Sequence, residues 1–375
     1  MRIESIELRH IKIPYLTPFQ TSFGVGVEND HTIIAIKTDG VIGWGECVAS
    51  AEPYYSAETA QTAWHVLRDF IIPSLLGKNI SSVDDALALM ARVRGHNMAK
   101  AGVEAALWDA FAKQKEISLA KILGGTRDEI VVGVSIGLQP SVADLVKRVA
   151  GYLSEGYARI KIKIEPGRDV ELAAAVRKEF PNILLQVDAN SAYSLRDIAR
   201  LRPLDQFNLL LIEQPLGYDD IYDHSKLARE LTTPICLDES IDNVSDANVA
   251  MELGACKIIN IKPGRVGGFS ESKKIHDACA ARNVPVWHGG MLESGIGRAG
   301  NIALASLENF RLPGDISASK RYFSEDIVEP EFEMNRDGTI TVPTQPGIGV
   351  EVKMNRLERV TQSRAEFKAN RLYSE

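Results

Sequence analysis

Lys163, Asp188, Glu213, Asp238 and Lys262 follow one another at intervals of 25, 25, 25 and 24 residues, each at the carboxyl end of an apolar run. The runs are ARIKIKI, ILLQVDAN, LLLIEQP, PICLDES and CKIINIKPG. Three carboxylates without His or Cys supply hard, anionic oxygens, a set that suits Mg²⁺, with Mn²⁺ as a substitute, and disfavours zinc. A lysine on each side of such a cation can abstract a proton next to a carboxylate, where a dication stabilises the enediolate that forms. The base must be neutral, so an ordinary lysine pKa of about 10.4 has to fall. Lys161 shares a strand face with Lys163 and, with the metal, is the cationic neighbour that lowers it; a closing flap adds desolvation. For any one acidic residue, pairing with a lysine in a polar barrel layer is the plainer alternative, whereas three at equal spacing favour a cation. A lysine-studded edge strand is the alternative for Lys161 and Lys163, weighed down by their place in the repeat.

A strand, a loop, a helix and a second loop fill one such interval, so the chain returns each time to the same end of a parallel sheet. In (β/α)₈ barrels that end, the carboxyl ends of the strands, carries the active site. The chain has 375 residues, enough for a barrel of about 250 and one companion domain. Residues 1 to about 50 alternate as antiparallel strands, with a DG turn between the last two, and Pro14 and Pro18 break the first of them. The segment TPFQTSFGVGVEND suits a flap over the mouth or an ordinary hairpin loop. Apolar residues recur at helical spacing from Ser56 to Leu76 and from Met98 to Lys115. We place a capping domain at 1–125, the barrel at 126–315, and a tail from about 316 to 375 that returns to the cap. The last twenty or so residues read as a charged, solvated terminus.

A net charge of −7 and the lack of a Lys/Arg-rich run exclude a nucleic-acid surface. No apolar signal stretch or membrane-spanning run occurs, so a cytoplasmic protein with no membrane partner is expected. Cys47, Cys236, Cys256 and Cys279 show no CxxC spacing and are expected as buried thiols.

KxK at Lys161 and Lys163, VDAN, IEQPL, CLDES and NIKPGRVGG together resemble the muconate-lactonizing subgroup of the enolase superfamily, over nearly the whole chain. Sites of that superfamily combine a Lys or His base with Mg²⁺. GWGECVA, YLSEGYARIKIKIEPG, INIKPGRVGGF and PVWHGGMLESGIGRA further resemble the o-succinylbenzoate synthases that also racemise N-succinylamino acids. The resemblance implies an α/β fold, a modified TIM barrel (β/α)₇β with an α+β cap. It also implies a small anionic carboxylate substrate and a homo-oligomer, dimer to octamer.

By the same resemblance, Lys163 removes the α-proton of 2-succinyl-6-hydroxy-2,4-cyclohexadiene-1-carboxylate, a menaquinone precursor, and then protonates the departing hydroxide. Lys262 stays cationic on the other face, and in racemisation each lysine acts on one enantiomer. Arg265 matches a position linked to racemase competence, although an ion-pair role explains it equally. Glu239 and Asn190 are expected to orient the lysine or the metal carboxylates. Gly289, Gly290 and Met291 are candidates for presenting N–H groups to a succinyl carboxylate. Phe19, Phe23 and Tyr55 are candidates for lining the flap, and His288 is placed at the pocket rim. A dedicated N-acylamino acid racemase is the runner-up, followed by a muconate cycloisomerase or dipeptide epimerase. A barrel that binds metal and anion without turnover is the non-enzymatic alternative.

Overall fold

The computed structural model describes residues 1–21 and 24–369. The three N-terminal strands form a meander: β1 (Ile3–Gln20), β2 (Val25–Thr38) and β3 (Val41–Cys47), with Asp39-Gly40 at the last turn. Ile6 and Leu8 lie opposite Ile36 and Ile34. All four belong to a core shared with the helical stretch from Ala60 to Leu75 and the helix Asn97–Gln114. β3 lies directly on that last helix. A Cβ on Gly43 or Gly45 would come within 2.0 or 2.1 Å of the carbonyls of Ala106 and Gly102, so only glycine permits the approach. Ile11, Ile13 and Ile33 leave this core and join that of the barrel.

Two expectations for this region are met only in part. β1 stays extended through Pro14 and Pro18, with Pro14 still opposite Glu28, but its pairing with β2 slips between Pro14 and Phe19, so the prolines interrupt the ladder and not the strand. The reason is its neighbours: pairing on the other side of β1 ends at Ile11, so an absent N–H beyond that point removes no ladder bond there. Residues 361–368, expected as a charged, solvated terminus, do stay largely exposed, but they are part of the cap. They form a strand antiparallel to β1, from Ser5 opposite Lys368 to Ile11 opposite Thr361, giving a four-stranded sheet.

The barrel strands are β4 (Gly133–Ile136), β5 (Arg159–Lys163), β6 (Leu184–Asp188), β7 (Ile212–Glu213), β8 (Ile235–Leu237), β9 (Ile258–Ile261) and β10 (Val286–His288). They pair in parallel and in chain order, each step crossing through a helical segment. Residues 310–315 take the eighth place between β10 and β4. Val286 bridges Phe310 and Val132 bridges Gly314, while Asp315 N–H donates to the His288 carbonyl at 2.8 Å. The ring thus closes as a modified TIM barrel beneath an α+β cap. All four cysteines are buried and free, as expected.

Candidate active site

Alternation along β5 turns Arg159, Lys161 and Lys163 inward, where all three are buried. Asp188 and Glu213 end β6 and β7, while Asp238 and Lys262 are the first residues after β8 and β9. Lys163 and Lys262 therefore stand across the mouth from each other, with the three carboxylate-bearing strands between them. A cavity of about 310 Å³ separates this mouth from the cap. Phe19, Tyr55, Lys161, Lys163, Asn190 and Lys262 all border it, as do Gly290 and Met291. Phe23 lies outside the described residues.

The charged groups interlock. Lys163 Nζ is 2.6 Å from Asp188 Oδ2 and 2.5 Å from Asn190 Oδ1. Lys161 Nζ is 2.9 Å from Glu213 Oε2 and 3.3 Å from Asp188 Oδ2. Lys262 Nζ donates to Asp238 Oδ2 at 2.7 Å and to the Tyr55 hydroxyl at 3.1 Å, and that hydroxyl donates to Asp238 Oδ1 at 3.0 Å. Arg265 pairs with the same Asp238 oxygen and donates to the carbonyls of Ile241 and Asn260 at 2.8 and 2.6 Å. Asn190 Nδ2 reaches Glu239 Oε1 at 3.0 Å. Arg265 and Glu239 are buried behind the cavity rather than on its wall.

Burial would lower the Lys262 ammonium pKa, but Asp238, Tyr55 and Glu239 carry it well above its ordinary value. Asp188 is driven down, since Lys163 and Lys161 outweigh its burial. Glu213 goes the other way: burial and the adjacent Asp188 push it well up against the pull of Lys161. Burial, Asp238 and Asp188 likewise raise Glu239 to about 7.

A buried carboxyl raised by its carboxylate neighbour is a place where a divalent cation relieves repulsion, and the donor set is all hard oxygen. Each carboxylate is turned toward an ammonium or guanidinium group instead. Accordingly, among the described residues no three His, Cys, Asp or Glu side chains lie at metal-holding distance. The side-chain chemistry of Asp188, Glu213 and Asp238 fits Mg²⁺, and they would turn from these partners to hold it.

Three details depart from expectation. His288 is not at the rim: it is 1 % exposed and packed on Phe310 with ring centroids 5.9 Å apart. Burial lowers its pKa to about 3. Two N–H groups of the glycine turn are already used, Gly289 by the Ile261 carbonyl at 3.1 Å and Met291 by Glu293 at 3.0 Å, so neither is offered to an anion. Tyr55 does border the cavity, but its hydroxyl is tied to Lys262 and Asp238 rather than poised in a flap.

Two further polar residues at the mouth lie beyond the five regularly spaced ones. Asp315 borders the cavity and sits 2.5 Å from Lys161 Nζ. It stands 27 positions after His288, itself 26 after Lys262, so two more steps of the same count reach it. Asn260, one strand alternation before Lys262, donates to Glu213 Oε1 at 2.8 Å.

Residues 144–356 match the family described as enolase C-terminal domain-like, and residues 5–124 match the mandelate racemase / muconate lactonizing enzyme N-terminal domain. The o-succinylbenzoate synthase of Geobacillus kaustophilus is 51% identical over 363 residues, covering 96% of each chain. The N-succinylamino acid racemase of Amycolatopsis sp is 49% identical over 365 residues, covering 97% of this chain and 99% of the other. A solved structure of an enolase superfamily member from Listeria innocua Clip11262 has a TM-score of 0.95 at 45% identity, covering 98% of this chain and 99% of that one.

Proposed function

Because the chain belongs to the mandelate racemase / muconate lactonizing enzyme family of the enolase superfamily, we propose that it is an o-succinylbenzoate synthase that also racemises N-succinylamino acids. The observation that carries this is the pair Lys163 and Lys262, facing one cavity across Asp188, Glu213 and Asp238. The substrate is 2-succinyl-6-hydroxy-2,4-cyclohexadiene-1-carboxylate, and the reaction is a syn-dehydration that serves menaquinone synthesis.

Asp188, Glu213 and Asp238 are the residues that would hold Mg²⁺, or Mn²⁺ in its place. Bound there, the ion supplies positive charge for the enediolate oxygens. Lys163 takes the α-proton as a neutral amine and returns a proton to the hydroxide leaving on the same face. In the dehydration Lys262 acts as an ammonium, the form that Asp238 and the Tyr55 hydroxyl beside it favour, and steadies the developing negative charge from the opposite side. With an N-succinylamino acid, proton removal on one face and return on the other exchange the enantiomers. Phe19 and Met291 border the cavity where the succinyl tail would lie.

The expected assembly is a homo-oligomer, dimer to octamer, in the cytoplasm. No helix among the described residues is long and apolar enough to cross a membrane.

The test is turnover of the diene carboxylate by purified protein with Mg²⁺, beside racemisation of N-succinylphenylalanine. Wild type is expected to consume the diene, and Lys163→Ala to lose on the order of 10³-fold. Racemisation without diene turnover would instead identify a dedicated N-acylamino acid racemase, the second function that the Amycolatopsis relative's name supports. Undiminished turnover in Lys163→Ala would remove the lysine from the mechanism.

A further inference from the structure

Asp315 has no task in the chemistry above, yet it makes the shortest of Lys161's anionic contacts. Its Oδ2 is 2.5 Å from Lys161 Nζ, against 2.9 Å for Glu213 and 3.3 Å for Asp188. Its Oδ1 is 2.6 Å from Arg159 Nη1. Arg159 is fully buried and is itself fixed, because Nη2 donates at 2.9 Å to the carbonyl of Pro313, two residues before Asp315. Trp287 covers both cations with its ring, Arg159 at 5.2 Å and Lys161 at 4.8 Å. One carboxylate thus bridges two inward-facing cations of β5 from the eighth position of the ring.

The other two anions beside Lys161 are the carboxylates assigned above to the divalent cation. Asp315 is the contact that does not compete with that assignment. Lys262, across the mouth, has separate partners in Asp238 and Tyr55. We propose that Asp315, anchored by Arg159, is a positioning residue that holds the Lys161 ammonium beside Lys163 and so serves one of the two faces of the bound substrate. The inference rests on the proposed function, and its signature is one-sidedness. Losing the Asp315 charge frees Lys161 to shift toward Asp188 and Glu213, disturbing Lys163 and its aspartate while leaving Lys262 in place.

The experiment follows exchange of the α-proton for solvent deuterium in each enantiomer of N-succinylphenylalanine by NMR. Lys163→Ala and Lys262→Ala assign each enantiomer to its lysine. Asp315→Asn is expected to slow the enantiomer served by Lys163 about tenfold more than the other. Asp315→Glu, which keeps the charge one methylene out of place, should show the same one-sided loss in smaller size, and it carries the comparison if the amide variant does not fold. Calorimetric titration with Mn²⁺ gives a readout free of turnover: its Kd should rise several-fold in Asp315→Asn, as Lys161 competes harder for Asp188 and Glu213. Equal slowing of both enantiomers, or an unchanged Mn²⁺ affinity, overturns the positioning role. A wild-type enzyme that exchanges neither enantiomer overturns the racemase activity instead.

Discussion

Buried carboxylates at the barrel mouth and at the joint between cap and barrel have opposite kinds of partner. Asp188, Glu213 and Asp238 face lysines and an arginine. Glu46 and Glu104 face the backbone N–H groups of helix starts, Glu46 with the His31 imidazole also beside it. From β3, Glu46 reaches the start of the barrel helix Gly295–Ala305. There it accepts from Ser294 N and Oγ at 3.0 and 2.6 Å and from Gly297 N at 2.9 Å. From the helix Asn97–Gln114, Glu104 accepts from Phe269 N, from Ser270 N at 2.9 Å and from the Trp108 indole at 3.1 Å. Phe269 and Ser270 open the preceding barrel helix, Phe269–Ala281. A helix start offers unpaired donors and the positive end of a dipole, so such a carboxylate is committed. One that faces a side-chain ammonium can exchange that partner for another cation. The same residue type fastens the cap in one region and stays available for chemistry in the other.

The contrast is sharpest where the effect is largest. Glu213→Gln should cost on the order of 10³-fold in diene turnover, with a urea midpoint close to that of wild type, because the amide preserves the shape of the site. A collapse of the fold would show that the mouth carboxylates fasten the molecule as well. Glu104→Ala is the converse. It leaves the Phe269 and Ser270 N–H groups without their acceptor and should lower unfolding stability by about 3 kcal/mol, while turnover well below the transition stays within about threefold of wild type. A far larger loss of turnover at full folding would place Glu104 in the chemistry.

The smallest effect concerns pH. Burial raises the Glu46 carboxyl, but His31, 2.7 Å away, and Ser294 bring it below its ordinary value. A lowered folded pKa contributes stability that is present above the unfolded value of about 4.5 and is lost as pH falls through the folded one. Glu46→Gln should therefore show a shallower loss of stability on acidification, by about 1 kcal/mol, in melts recorded from pH 7 downward. An acid limb identical to wild type would detach Glu46 from it.

The mouth was legible in the sequence because a regular crossover repeats its functional position at a fixed interval, and the ends of five apolar runs marked it. Asp315 escaped because the eighth position is held by single bridges at Phe310 and Gly314, with no apolar strand to draw the eye. Glu104 sits within GVEAALWDAF, where helical periodicity places it on a buried face; only the facing barrel helix reveals what it holds. The prolines of β1 did mark the slip in its pairing with β2, but that the strand stays extended there depended also on where its other neighbour, residues 361–368, stops. Local composition fixes what a segment can do, while partners distant in the chain decide what it does.

That outer strand carries a consequence for biosynthesis. A ribosome delivers Ser5 to Ile11 early and their partners, Thr361 to Lys368, only after the entire barrel has emerged. Until then one edge of β1 stands open, a template for any other extended chain nearby. The pair joins residues more than 300 positions apart, so this edge is among the last parts of the cap that can be covered.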